Sequence, residues 1–323
     1  MSNKEIYRKT LGFSLRRVLW DILALLILGA CVGGGFLVAE KMLDKGLIGL
    51  GAGALVGLIV IAFLLRYVSY TYKAGQIAMM TKGITEGSLP DDVIGEGKRT
   101  VKERFLTVAA FFAVTSVIKG IFNQVGNAIN SVGRSLGGEK GNQVANVISL
   151  AIQVLVSYLC DCCLGWVFYR KEQKSVRATL EGAVLFFKHG KTLAKNMGRI
   201  YGMGLLSFAA IGGVFTAAFY AVFRNFPVAF QKLAQEIAEA ASRGQTEIPA
   251  FLTDPAMLTV AAAVVAAVII WSILHSVFVR PFVLTGVLRN YIEAGIKDIP
   301  TEASFAELDK KSAKFRKLHA KLA

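Results

Sequence analysis

The chain has 323 residues, of which 54% are hydrophobic and 18% charged, and its mean hydropathy is +0.53. That balance excludes an ordinary soluble globular protein, because long apolar runs read as membrane spans. A net charge of +15 would suggest nucleic acid on a soluble protein. Here the bases lie between apolar runs, where they hold loops on the cytoplasmic side, so no nucleic-acid partner is expected.

The basic N-terminal stretch MSNKEIYRKTLGFSLRRV leads into an apolar run from Val18 to about Val38. A signal peptide has a shorter apolar core and a small-residue cleavage site, so this run reads as a retained first helix. Spans are expected at about 18–39, 47–69, 105–125, 147–169, 199–222 and 257–280. The segments between them alternate in charge, with 29 of the 37 Lys and Arg on one side and 8 on the other. The fold class expected is therefore all-α: a single polytopic membrane domain of six transmembrane helices as three hairpins, with both termini cytoplasmic. Residues 281–323 form a basic cytoplasmic tail in this reading. Short likenesses, such as GKRTVK at Gly97–Lys102 and GKTLAK at Gly190–Lys195, fit three related hairpins.

In the first hairpin, Gly29-xxx-Gly33 and Gly49-xxx-Gly53-xxx-Gly57 let backbones approach, for packing or a homo-oligomer contact. Span three carries Ser116, Lys119, Asn123, Asn127 and Asn130 at steps of three and four. Lys119 is expected near the outer end, snorkelling outward. Span four carries a matching row: Asn142, Asn146, Ser149, Gln153, Ser157 and Asp161. Polar groups facing lipid would lack hydrogen-bond partners, so this side must face helices or water. The rows are interhelical glue or the lining of a water-filled path. Asp161 favours the path, because an ionisable residue inside a span is a functional candidate. It is expected roughly 12 Å from the inner end near Tyr169, at about 1.5 Å per residue.

Cys160, Cys162 and Cys163 share one helical turn with no nearby His, which fits packing or lipidation better than metal. Trp166, Phe168 and Tyr169 read as an interfacial aromatic belt, or as part of a cage for a quaternary ammonium group. Leu185, Phe186 and Phe187 beside Lys188, Lys191 and Lys195 make an amphipathic stretch suited to anionic lipid head groups. Outside, Phe226, Phe230, Leu233 and Ile237 form one apolar helical face. In span six, Trp271, Ser272 and His275 fall within a turn, followed by Arg280-Pro281. His275 is a proton relay or a histidine bonded to a neighbouring helix. No phosphate-loop, zinc-protease or nucleophile-elbow motif is present. No enzymatic activity, cofactor or metal is expected.

From about Tyr67 onward the order of features resembles the C-terminal membrane core of the choline transporter-like family. The features are RYVSYTYKAG, Pro90 in a cytoplasmic loop, a long third span, Cys162-Cys163 followed by Trp166, Phe186-Phe187, KNMGRI and SVFVRPFVLTGVLRNYIEAG. The resemblance implies a plasma-membrane carrier for a small cationic or amphiphilic solute. With Asp161 binding a cation or proton, the expected path is lined by Asn146, Ser149, Gln153, Ser157, Ser116 and Asn123, with His275 and Trp271 nearby. The rival expectation is a non-transporting scaffold or assembly protein that works through Lys188, Lys191 and Lys195.

Overall fold

A computed structural model of the chain describes residues 1–43, 46–105, 110, 112–120, 139–244, 249 and 253–320. Helix is the only regular structure among them. The order is α1 (Asn3–Leu43), α2 (Gly46–Val68), α3 (Ala74–Thr85), α4 (Val93–Arg104), α5 (112–120), α6 (Glu139–Tyr169), α7 (Ser175–Lys188), α8 (Gly190–Ser207), α9 (Gly213–Phe223), α10 (Pro227–Gly244), α11 (Pro255–Leu274), α12 (Arg280–Lys297), α13 (Glu302–Lys311) and α14 (Ala313–His319). Among the described residues, π turns join helices end to end at Ser69–Lys73 between α2 and α3, at Phe208–Gly212 between α8 and α9, and at His275–Val279 between α11 and α12.

Local chemistry sets several helix ends. Asp254 accepts hydrogen bonds from the amides of Ala256 and Met257, with Pro255 in the first turn, and so starts α11. Asp92 does the same for α4 through the Gly95 amide, and Ser312 for α14 through the Phe315 amide. Gly87, at φ +72°, lets the chain turn out of α3, a conformation that costs other residues more.

Among the described residues, four helical stretches are long and apolar enough to cross a membrane: Asn3–Ala39, Gly51–Thr85, Gly198–Phe223 and Pro255–Lys297. Their apolar side chains point outward. Leu26 is 65% exposed, Phe63 70% and Leu205 71%. Surfaces of this kind suit lipid and not water, and on these four helices the chain is an integral membrane protein. The first two pack as a hairpin. A Cβ on Gly35 would collide with the Gly49 carbonyl, one on Gly49 with the Gly35 carbonyl, and one on Gly53 with the Cys31 carbonyl. Gly29 and Gly33, expected at this contact, have open space around them. The close approach runs through Gly35 instead.

The described chain falls into two compact units, Met1–Ile200 with Pro281–Ala323, and Tyr201–Arg280. In the first unit, several helices change character along their length. One side of the start of α1 and most of α3 are buried, although α1 continues into, and α3 follows from, an apolar exposed stretch. Ile6 and Phe13 are 0% exposed, as are Met79 and Met80. Phe13 lies against Gly75 and Gly97, and the Gln76 amide donates to the Thr10 carbonyl and the Ser14 hydroxyl. The end of α6 lies in the same bundle, where Trp166 packs on Gly295 of α12. Arg104 at the end of α4 donates to the carbonyls of Arg170, Lys171 and Gln173. A cation thus satisfies open carbonyls where α6 ends, and burial lowers the Arg104 pKa from its ordinary value.

Several expectations change here. Cys162, Cys163, Trp166 and Val167 are each fully enclosed by protein, so the end of the fourth expected span does not face lipid. Trp166 donates its indole N–H to Glu181 and is not part of a belt. Cys160, Cys162 and Cys163 are buried and the Cys163 thiol donates to the Thr179 carbonyl, which is packing. The apolar side of α7 is covered by the segment expected as a tail: Leu180, Ala183 and Val184 pack with Phe305, Leu308 and Phe315. Val117 of α5 joins this cluster, so the middle of the third expected span also touches the bundle.

In the second unit, Phe215, Phe219 and Phe223 of α9 form a ladder that reaches Phe230 of α10. On the face expected to be apolar, Phe226 and Leu233 remain exposed and Ala234 is the buried contact.

Candidate functional site

Where α2 gives way to the bundle, a cavity of about 860 Å³ opens between three helical stretches of the first unit. From α2 and its π turn come Ala62, Leu65, Arg66 and Lys73. From α5 come Phe112, Thr115, Ser116 and Lys119, at steps of three, one and three, which is one helical face. From α6 come Ser157, Cys160, Asp161 and Leu164, with the same spacing.

Asp161 is the most enclosed charged group in the cavity. Its side chain is 5% exposed, and Oδ1 accepts from Lys73 Nζ at 2.6 Å; Lys73 is 29% exposed. An enclosed carboxylate without a partner would cost several kcal/mol. Lys73 supplies that partner. Lys73 stands on the π turn, five residues beyond the end of α2. The Asp161 carboxylate therefore lies at the level where the exposed apolar half of α2 ends, not deep within a span. Single π turns inside α-helices occur often at functional sites.

The rest of the wall is mixed. Arg66 sits 5.9 Å from the Phe112 ring centre, within cation–π range. Ala62, Leu65, Arg66, Ser116 and Lys119 are exposed, so the cavity is an open cleft with a sealed acid at its base. Lys119, expected to snorkel outward, lines the same cleft as Asp161. The cleft has three cations and one acid. Asp161 and Lys73 offset each other, and no carboxylate among the described residues pairs with Arg66 or Lys119.

Of the residues expected to line a path, Asp161, Ser157 and Ser116 meet in this cleft. Gln153 is exposed and outside it. The side chains of Asn146 and Ser149, and all of Asn123, lie outside the described residues. Trp271 and His275 belong to the second unit. There Trp271 donates to the Ser207 hydroxyl at 3.2 Å and packs at a tilt on His275 with ring centres 5.2 Å apart. Lys73, Arg66 and Thr115 were missed in the sequence. The stretch RYVSYTYKAG gave a partial signal, since a lysine soon after an apolar run can reach back along it. Comparison with family models, with curated proteins and with solved structures finds no match to this chain.

Proposed function

We propose that this chain is a cell-membrane carrier with both termini cytoplasmic, and that the cleft above Asp161 is the inner part of its solute path. The observation that carries the reading is an 860 Å³ void beside a nearly sealed carboxylate held by a lysine. Glue between helices would leave no such void. Six crossings belong to this reading: the four apolar stretches, α6, and one at about 105–125, of which the structure describes mainly α5. The 31 residues of α6 rise about 46 Å at roughly 1.5 Å each, enough for a bilayer. The even number agrees with the one-sided distribution of bases.

Two solute classes follow from the family resemblance, cationic and amphiphilic. The cleft supports the amphiphilic one, because apolar Ala62, Leu65 and Phe112 stand beside Arg66, Lys73 and Lys119. A choline-like cation would meet an unfavourable charge balance. The Asp161–Lys73 pair is the candidate gate, since a ligand or proton that separates the two groups would have to compensate both. The scaffold reading receives less support, because Lys188 is engaged with Asp298 at 2.6 Å.

The test is flux into proteoliposomes of choline, glycerol 3-phosphate and a short-chain fluorescent lysophospholipid. A carrier gives protein-dependent flux of at least one, and Asp161→Asn lowers it tenfold or more, about 1.4 kcal/mol at the barrier. No protein-dependent flux of any probe removes the carrier reading and leaves the scaffold.

A further inference from the structure

We infer that the cleft between α2, α5 and α6 binds a phosphate group carried on an apolar body, with Arg66 and Lys119 as the anion-binding pair. This rests on the same cleft as the carrier reading and names the chemical class that it takes.

The argument starts from charge. Lys73 is committed to Asp161 at 2.6 Å, so that pair adds little net charge to the cleft. Arg66 and Lys119 remain, from two different helices, on the rim of one void. Two cations held at one opening repel each other and are stabilised when an anion lies between them. Arg offers planar, paired donors suited to phosphate, and Lys adds a point charge. The exposed Ser116 hydroxyl stands on the α5 face that carries Lys119, one helical turn away, and supplies a neutral donor of the kind that completes phosphate recognition, while the Thr115 hydroxyl beside it donates to the Phe112 carbonyl.

The apolar part follows from position. Ala62 and Leu65 belong to the exposed, lipid-suited stretch of α2, so the cleft continues from a cationic rim onto a surface that hydrocarbon would cover. Basic pockets between transmembrane helices at the cytoplasmic level are sites for anionic lipid head groups. A free phosphoester would use the same cations but not the α2 wall.

The experiment uses the full chain in nanodiscs of zwitterionic lipid, titrated with fluorescent phosphatidylglycerol and competed with glycerol 3-phosphate or choline. Wild-type protein is expected to bind phosphatidylglycerol saturably. Arg66→Gln and Lys119→Gln should each weaken binding roughly fivefold, and the double variant roughly 25-fold. Arg66→Lys and Lys119→Arg retain charge and should recover most of it, which separates loss of a ligand contact from misfolding. Competition by glycerol 3-phosphate at micromolar concentration supports the site with a soluble phosphoester as its source. Resistance to it supports a lipid source. Equal binding by wild type and the double variant, or displacement by choline alone, overturns the inference. Binding without flux would end the carrier reading and leave this site standing. Choline flux without phosphate binding would do the reverse.

Discussion

Glu181 of α7 shows how a single carboxylate organises the bundle. It is 2% exposed and accepts from Trp166 Nε1 at 3.1 Å, Arg170 Nε at 3.0 Å and Gln173 Nε2 at 2.8 Å. Its removal strands an indole N–H and leaves Arg170 paired with the exposed Glu172, at 3.0 Å. Glu181→Leu should lower stability by about 3 kcal/mol, read as a fall in the detergent unfolding midpoint. Glu86→Gln, which breaks surface pairs with Lys82 and Lys171, each at 3.9 Å, should stay within about 0.5 kcal/mol. Asp161 was legible in the sequence because a carboxylate amid apolar residues is costly and so noticeable. Its partner was not. Lys73 lies 88 positions earlier in the chain, and the π turn that aims it leaves no periodic mark. Trp166 was misread for a related reason. An aromatic at the end of an apolar run looks alike whether lipid or protein covers it.

At the scale of elements, the α1–α2 hairpin is held by backbone proximity. Gly53→Val would drive a side chain into the Cys31 carbonyl and should destabilise the hairpin by about 1–3 kcal/mol. Gly51→Ala, where nothing lies within 4 Å, should be neutral or stabilising by up to about 1 kcal/mol through helix propensity. A cysteine pair across the hairpin, scored for cross-linking in both backgrounds, distinguishes the two outcomes. Small residues at steps of four flagged this contact but not its register, because Gly29, Gly33 and Gly35 fit a close approach equally well on composition alone. Apolar runs also revealed the four lipid-suited helices, since their exposed halves contain little else. The fourth expected span was harder. Its composition is that of a membrane helix, yet its end is enclosed by α3, α7 and α12 in protein core, which demands the same residues.

Across the molecule, the first unit is closed by distant parts of the chain. Arg289 on α12 donates to Asn3 and to the Met1 carbonyl. Lys188 pairs with Asp298 and Arg177 with Glu302, tying α7 to the segment that carries α13 and α14. The hydrogen bond from Lys188 holds the Asp298 carboxyl below its ordinary 3.8, and that from Arg177 holds Glu302 below 4.5. Lowered acids stabilise fully above their unfolded values and lose that contribution as pH falls through the folded ones. Docking of α13 and α14 on α7 should thus be constant at neutral pH and weaken progressively below about pH 4.5. Hydrogen exchange of the α7 amides would record this, and unchanged protection down to pH 3 would refute it. The helical, membrane-borne class was readable from composition, and the amphipathic character of α7 from its pattern. That the apolar side of α7 meets residues 281–323 instead of lipid was not, because an amphipathic pattern does not name what covers it.

The second unit, Tyr201–Arg280, interrupts the first in sequence, and this orders events on the ribosome. Leu180, Val184 and Val117 emerge long before Phe305 and Phe315, which cover them. At roughly 5–20 residues per second, that interval is on the order of ten seconds. During synthesis the nascent bundle must therefore wait half-built, with an oily patch open to chaperones, while two further hydrophobic segments are threaded into the bilayer.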